Sequence, residues 1–333
     1  MVACTPRGVV GTLASPKEHW LAGEAVHHRW DKTLKPAVAI RSGDVVHLQT
    51  REVSGGQITL GAPATVAASL DTSKTYPLAG PTLVEGAMPG DVLEIEMLEL
   101  RPGDWGWTAI IPGRGLLAND FEQPYIRYFA LDDTNRVELR PGITIPVAPF
   151  CGTIGVAPDR SESLPARPPH EGGGNIDDRR LTQGSKLYLP VLVEGALLSV
   201  GDSHAAQGDG EVCVTGLECD MQVSIRISIL RGRSMPSWTH QVVTPGGPAG
   251  VALPQICMAA SGPDLMENAR VAIRELINWL EQRHQLSRED AYILCSLAAD
   301  LRIGQVVNAP SWTVSACLPL TLFDATRAAE ASN

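Results

Sequence analysis

Two periodicities run along this chain, and they divide it. In "GDVVHLQT" (43–50) and "GDVLEIEMLEL" (90–100) a Gly-Asp turn opens a run in which apolar and polar residues alternate. In "MQVSIRISIL" (221–230), Val223, Ile225, Ile227 and Ile229 fall on one face. A period of two sends successive side chains to opposite sides, so these runs predict half-buried strands. The 32 Gly and 25 Pro are spread along the chain, not gathered into a linker, which suits many short strands separated by turns.

In the last third the period lengthens. Within "PDLMENARVAIRELINWLEQRHQ" (263–285), Leu265, Ala269, Ala272, Leu276 and Leu280 recur every three or four residues, the spacing of a helix with one apolar face. A second helix is predicted in "SREDAYILCSLAADLRI" (287–303), where Ser287 and Asp290 make a capping-box-like start. "VNAPSWTVSACLPL" reads as a closing strand. The pattern predicts a mainly β protein with a smaller α+β portion carrying two C-terminal helices.

Composition by itself marks no domain boundary. The periodicity is read as 1–220 mainly β and 221–333 an α+β part packed on that core. "LVEGAMPGD" (83–91) echoes "LVEGALLSVGD" (192–202); a duplicated β module and chance likeness between β-turn-β stretches both account for it. The loop-rich interval 157–180 suits a linker or an active-site loop.

Charge and cysteine usage narrow the function classes. A net charge of -10 repels phosphate backbones and argues against nucleic acid as a partner. The seven Cys contain no C-x-x-C and no zinc-finger spacing, and read as buried free thiols of a reducing cytoplasm. The N-terminus lacks a basic segment followed by an apolar one, and no run of about 18 apolar residues occurs, so neither secretion nor a membrane is expected.

The chain lacks G-x-S-x-G, H-E-x-x-H and G-x-x-x-x-G-K-[ST]. Cys151 is the best candidate for a nitrilase-like nucleophile, against the plainer reading of a buried strand cysteine. What remains is histidine plus carboxylate. In "GDSHAAQGDGEV" (201–212), Asp202 and His204 are two residues apart, and Asp209 and Glu211 repeat that spacing. On an extended segment such pairs share a side and can reach one metal ion or one water. Gln207 adds an amide able to donate to a carbonyl oxygen. The cluster permits metal-assisted or general-base hydrolysis; the competing reading is a Gly/Asp turn whose carboxylates bind backbone N–H groups.

Three further places carry candidates. "HEGGGNID" (170–177) holds Asn175 and Asp177 at the same spacing, in an active-site or merely solvated loop. In "AVHHRWDKTLKPAV" (25–38), His27 and His28 point opposite ways on a strand, so one of them at most faces a site easily. Trp105 and Trp107 share a face and either wall an apolar pocket or pack between sheets.

These motifs combine into a resemblance. "YPLAGP" (76–81), "GWTAIIPGRGLL" (106–117), "GTIGVAP" (152–158), "GNID" (174–177), the long stretch 184–218 and "DAYILCSLAADLRIGQVVN" (290–308) are similar to the acetamidase/formamidase family, from about residue 20 to 320. The resemblance implies a β-sandwich of jelly-roll type and a homo-oligomer, a dimer or higher. It implies an enzyme that hydrolyses short linear amides such as formamide or acetamide, using a divalent metal, zinc. On it, His204, Asp202, Asp177, His27 and Glu218 are the expected metal ligands. Glu211 and Asp209 are expected at the water, Gln207 at the substrate carbonyl, and Trp107 and Asn175 at the substrate. "VHHRWDKTLKP" and "CVTGLE" depart from the family pattern, which bears on His27 and on pocket size. The rival readings are a hydrolase of the same fold for a larger amide, lactam or imide, and a non-catalytic sugar- or ion-binding sandwich.

Overall fold

The alternating run at 221–230 forms the strand Met221–Leu230, with Val223, Ile225 and Ile227 buried and Ser224 and Arg226 less so. It lies antiparallel between Val45–Thr50 and Val92–Pro102, the two other runs of period two. One extra residue, Leu98, sits between the pairs Ser224–Glu99 and Ile225–Met97; the bulge flips the alternation, so Met97 and Leu100 both face inward. The computed structural model describes residues 15–323 apart from 22, 133, 234–237 and 243–253.

Two nine-stranded sheets organise the chain. The first continues outward from those three strands through Ser185–Pro190, Thr239–Val242, Gln255–Gly262 and Trp312–Pro319 to an edge strand, Asp300–Gln305, and so runs through both portions drawn from the sequence. The second runs Gly173–Asn175, Phe150–Gly155, Leu198–Ala206, Leu217–Glu218, Trp105–Ile110, Tyr125–Ala130, with Leu78–Val84 also paired to Leu198–Ala206. One apolar core joins them: Leu93, Ile95, Val223 and Ile225 from the first sheet, Phe150, Ile154, Leu198 and Val200 from the second. The two echoing segments lie side by side, the Val84 N–H donating to Gly195 O and the Gly195 N–H to Ala87 O.

The helices are α1 (Leu265–His284) and α2 (Arg288–Ala298). Asp264 caps the first by accepting from the Glu267 N–H, and Ser287 caps the second by accepting from the Asp290 N–H. Ala272, Leu276 and Leu280 cover Ile256, Met258, Ala316 and Leu318 of the first sheet. The second helix is shorter than the predicted 287–303. At Asp300 the chain turns into the edge strand, whose backbone pairs with Trp312–Pro319 instead of with its own preceding turn.

The glycine run 172–174 packs under His170, which accepts the Gly172 N–H at Nδ1 (3.1 Å) and therefore carries its proton on Nε2, buried without a partner. Burial holds this imidazole down at about 4, against an ordinary 6.5. Between those two values the unfolded chain binds the proton and the folded chain does not. The contribution to stability is therefore full above the unfolded value and lost as the pH falls through the window. His27 is held down to about 4 by burial as well and loses stability in the same window, so urea unfolding is expected to show a loss between pH 7 and pH 5 that is smaller by about 2 kcal/mol in His170→Asn, whose side-chain oxygen can still accept from Gly172.

Candidate active site

The central strand of the second sheet, Leu198–Ala206, is buried along its whole length. Ser203 reaches the opposing sheet, its Oγ 2.6 Å from Thr50 Oγ1, so Asp202 and His204 face the other way. Strand register then sets the neighbours. Phe150 lies opposite His204 on one side and Glu218 on the other, and Trp107 lies beyond Glu218. The Phe150 and His204 rings meet edge to face at 5.1 Å.

His204 is the hub of two carboxylate groups, Asp177 with Glu211 and Asp202 with Glu218. Its Nε2 is 3.1 Å from Glu218 Oε1, 3.5 Å from Asp202 Oδ1 and 4.0 Å from Glu211 Oε1. All five side chains are buried. Asp177 arrives from the turn after Gly173–Asn175, held by donation of the Ile176 and Asp177 N–H groups to Gly152 O. Asp177, Asp202 and Glu211 all have left-handed backbones, with φ of 47°, 52° and 48°. Such conformations cost free energy in non-glycine residues and gather where a site fixes its side chains.

Gln207 defines the state of the imidazole. Its amide NH2 donates to Asp177 O (3.1 Å) and Gly304 O (3.4 Å), so its Oε1 faces His204 Nδ1 at 2.9 Å. An amide oxygen only accepts, so Nδ1 carries a proton and donates to it, and Nε2 is the ring nitrogen aimed at the carboxylates. Nε2 has no aligned hydrogen-bond partner, and Asp177 Oδ1 and Glu218 Oε2 are likewise buried and unpartnered. Burial and the neighbouring acids push Glu211 up to about 8 and Glu218 to about 7 and raise Asp177, although His204 works against them. For His204 burial opposes the charge, but Glu218 and Asp202 outweigh it. Orphaned oxygen and nitrogen atoms on the members of two such His–carboxylate groups fit a divalent cation.

Above the cluster lies a cavity of about 720 Å³. Asp202, Glu211 and Glu218 form its acidic part, with Tyr76, Trp107, Asn175, Arg167 and Asn308 also lining it. Trp107 serves both readings of its sequence: it is buried, donates from Nε1 to Glu52 (3.2 Å) and walls the cavity. The Thr153 hydroxyl lies 2.7 Å from Asn175 Oδ1 and 3.1 Å from Asp202 Oδ2, which ties that amide to the cluster.

Three expected site residues are placed elsewhere or otherwise. His27 uses both ring nitrogens on Arg29 O and Ser199 Oγ, each at 2.8 Å, and stands outside the carboxylate groups. Asp209 stands outside the two carboxylate groups; it accepts from Arg180 (2.9 Å), whose guanidinium also binds the buried Asp178. Gln207 spends its oxygen on the imidazole and its NH2 on Asp177 O and Gly304 O. Cys151 is a buried strand thiol, pushed up to about 12 by burial, and no nucleophile.

Sequence reasoning passed over Gly152, Tyr76 and Asn308. Asn308 donates to Asp177 Oδ2, and Gly152 leaves room for three cluster residues. All three lie at the ends of motifs already quoted, where an isolated Gly, Tyr or Asn gives no chemical signal of its own.

Fold and site together define a β-sandwich protein with a buried carboxylate–imidazole centre under a deep pocket. The family model for the acetamidase/formamidase family matches residues 13–167 and 160–325. The chain is similar to the formamidase of Methylophilus methylotrophus, 24% identical over 92% of each chain. It also superimposes on crystal structures of acetamidases from Bacillus halodurans (TM-score 0.83, 33% identity, 91% of this chain and 98% of that one) and Yersinia enterocolitica (TM-score 0.82, 29% identity, 94% and 95%). The chain belongs to the acetamidase/formamidase family.

Proposed function

We propose that this protein is a metal-dependent amidase that converts a short linear amide and water into a carboxylate and ammonium. The amidase activity follows from the formamidase and acetamidase relatives. The observation that carries the metal is the His204 Nε2 atom, buried and unpartnered, standing among two carboxylate groups of metal-ligand spacing, Asp177 with Glu211 and Asp202 with Glu218.

His204, Asp202, Glu218 and Asp177 would hold the ion. One imidazole among carboxylates suits zinc, the metal of this reading. When bound, a divalent ion supplies the positive charge that acidifies a water and polarises an amide carbonyl. Glu211 takes the proton of the attacking water and returns it to the departing amine. Its carboxylate lines the cavity and is the farthest of the three acids measured from Nε2. Gln207 holds the imidazole with Nε2 turned to the carboxylates, and Trp107 and Asn175 wall the substrate.

The five buried free thiols, Cys151, Cys219, Cys257, Cys295 and Cys317, suit a reducing cytoplasm. No helix among the described residues is long and apolar enough to cross a membrane. Exposed Tyr292, Ile293 and Leu297 on α2 suit a homo-oligomer.

The purified protein is expected to carry about one zinc per chain, to stop releasing ammonia from formamide and acetamide when the metal is chelated, and to recover on re-addition. Full turnover by metal-free protein defeats the metal role.

A further inference from the structure

The cavity is far larger than formamide or acetamide needs. Sites near 720 Å³ fall in the range that encloses ligands many times the size of acetamide. Its charges are also segregated. Among the described residues, the only acids lining it are Asp202, Glu211 and Glu218 of the cluster; the remaining charged side chains in the lining are Arg29, Arg114 and Arg167. In a chain of net charge -10, a pocket whose charged wall residues outside its reacting end are all arginines attracts anions.

Arg167 is the informative member. Arg29 is engaged by Ser163 at 2.8 and 2.7 Å, and Arg114 is exposed. Arg167 makes one hydrogen bond, to Val307 O at 3.0 Å, and its Nε is buried without a partner. It forms no ion pair with the cluster, so it does not serve as the counter-charge of those carboxylates. Val307 directly precedes Asn308, the donor to Asp177, which anchors the guanidinium and the cluster to one segment.

We propose that the substrate is an amide whose far end carries a carboxylate, a monoamide of a short dicarboxylic acid, and that Arg167 binds that carboxylate while the amide lies over the cluster. This rests on the amidase reading above and narrows its substrate class. The C–N bond breaks, a C–O bond forms from water, and the products are a dicarboxylate and ammonium. A guanidinium that lines the cavity and is held by a single bond from Nη2 is suited to such a group, because guanidinium N–H groups make short charge-assisted bonds to carboxylates.

The test compares ammonia release by the zinc-loaded protein from malonamate against propionamide and from succinamate against butyramide, neutral amides of equal carbon number. The wild type is expected to favour each anionic amide by about 10- to 100-fold in kcat/KM, the worth of a hydrogen bond to a charged group. Added salt is expected to shrink the preference. Arg167→Gln is expected to erase it, mainly through KM, and Arg167→Lys to keep part of it. Should Arg167→Gln fail to fold, Arg167→Lys and the salt dependence of the wild type decide. Equal or better turnover of the neutral partners, or a preference unchanged in both variants, overturns the proposal and leaves the amidase reading intact. Turnover of neither kind of amide overturns the amidase reading itself.

Discussion

Gly152→Ala is expected to leave a folded chain that neither retains metal nor hydrolyses any amide. Gly152 lies opposite Asp202 on the strand Phe150–Gly155, and three cluster residues crowd the space a side chain would take. A Cβ there would overlap Asp177 Oδ1 and stand 2.9 Å from Asp202 O and 3.0 Å from His204 Cε1. None of these is the loose end of a flexible chain. Asp202 O is backbone, the imidazole is locked by Gln207 and Phe150, and Asp177 is held by Asn308. One methyl group therefore spreads the donor set, and metal sites tolerate displacements of only about 0.2 Å. Metal analysis and ammonia release measure the outcome, with circular dichroism confirming the fold. Gly208→Ala is the matched control: Gly208 lies inside the most specific motif, yet a Cβ there meets nothing within 4 Å. A Gly152→Ala protein with normal metal content and turnover would mean that the cluster is not the reacting centre.

Glu211→Gln is expected to lower kcat by about a thousandfold while metal content stays near that of the wild type. The substitution keeps size and hydrogen bonding and removes the ability to take a proton. The distinction from Glu218 is geometric. Glu218 is the cross-strand partner of His204 at 3.1 Å with its other oxygen orphaned, whereas Glu211 stands at 4.0 Å on a loop. Glu218→Gln is accordingly expected to lose metal and activity together. If Glu211→Gln also loses metal, Glu211 is a ligand and another group takes the proton; turnover within tenfold of the wild type removes it from the chemistry altogether.

The contrast between Gly208 and Gly152 shows what the sequence made legible. Hydrophobic period located the strands around Val223 and Ile95 and the helices around Leu276, because burial on one face imposes that period directly. Dense polar residues located Asp202, His204 and Glu211, because such groups are costly to bury without a purpose. Asp209 shares the spacing of Asp202 but meets Arg180, which is 29 positions away and invisible to local pattern. Gln207 sits where a substrate-facing amide was expected, and only the carbonyls of Asp177 and Gly304 turn it towards His204. Gly152 and Asn308 act through space they leave or fill beside distant residues, and no local spacing encodes that.

The site also depends on a segment made late. The Gly210 N–H donates to Gly304 O, the Val306 N–H donates to Gly210 O, and Asn308 steadies Asp177. During synthesis, then, a ribosome that has already delivered His204, Glu211 and Glu218 still holds back the clamp that seats them. The centre closes only after residues 304–308 emerge, and the edge strand that leads into them finds its partner only when Trp312–Pro319 follows, so on the metal-dependent reading a chain stalled before that point presents acids with no fixed geometry in which to hold an ion.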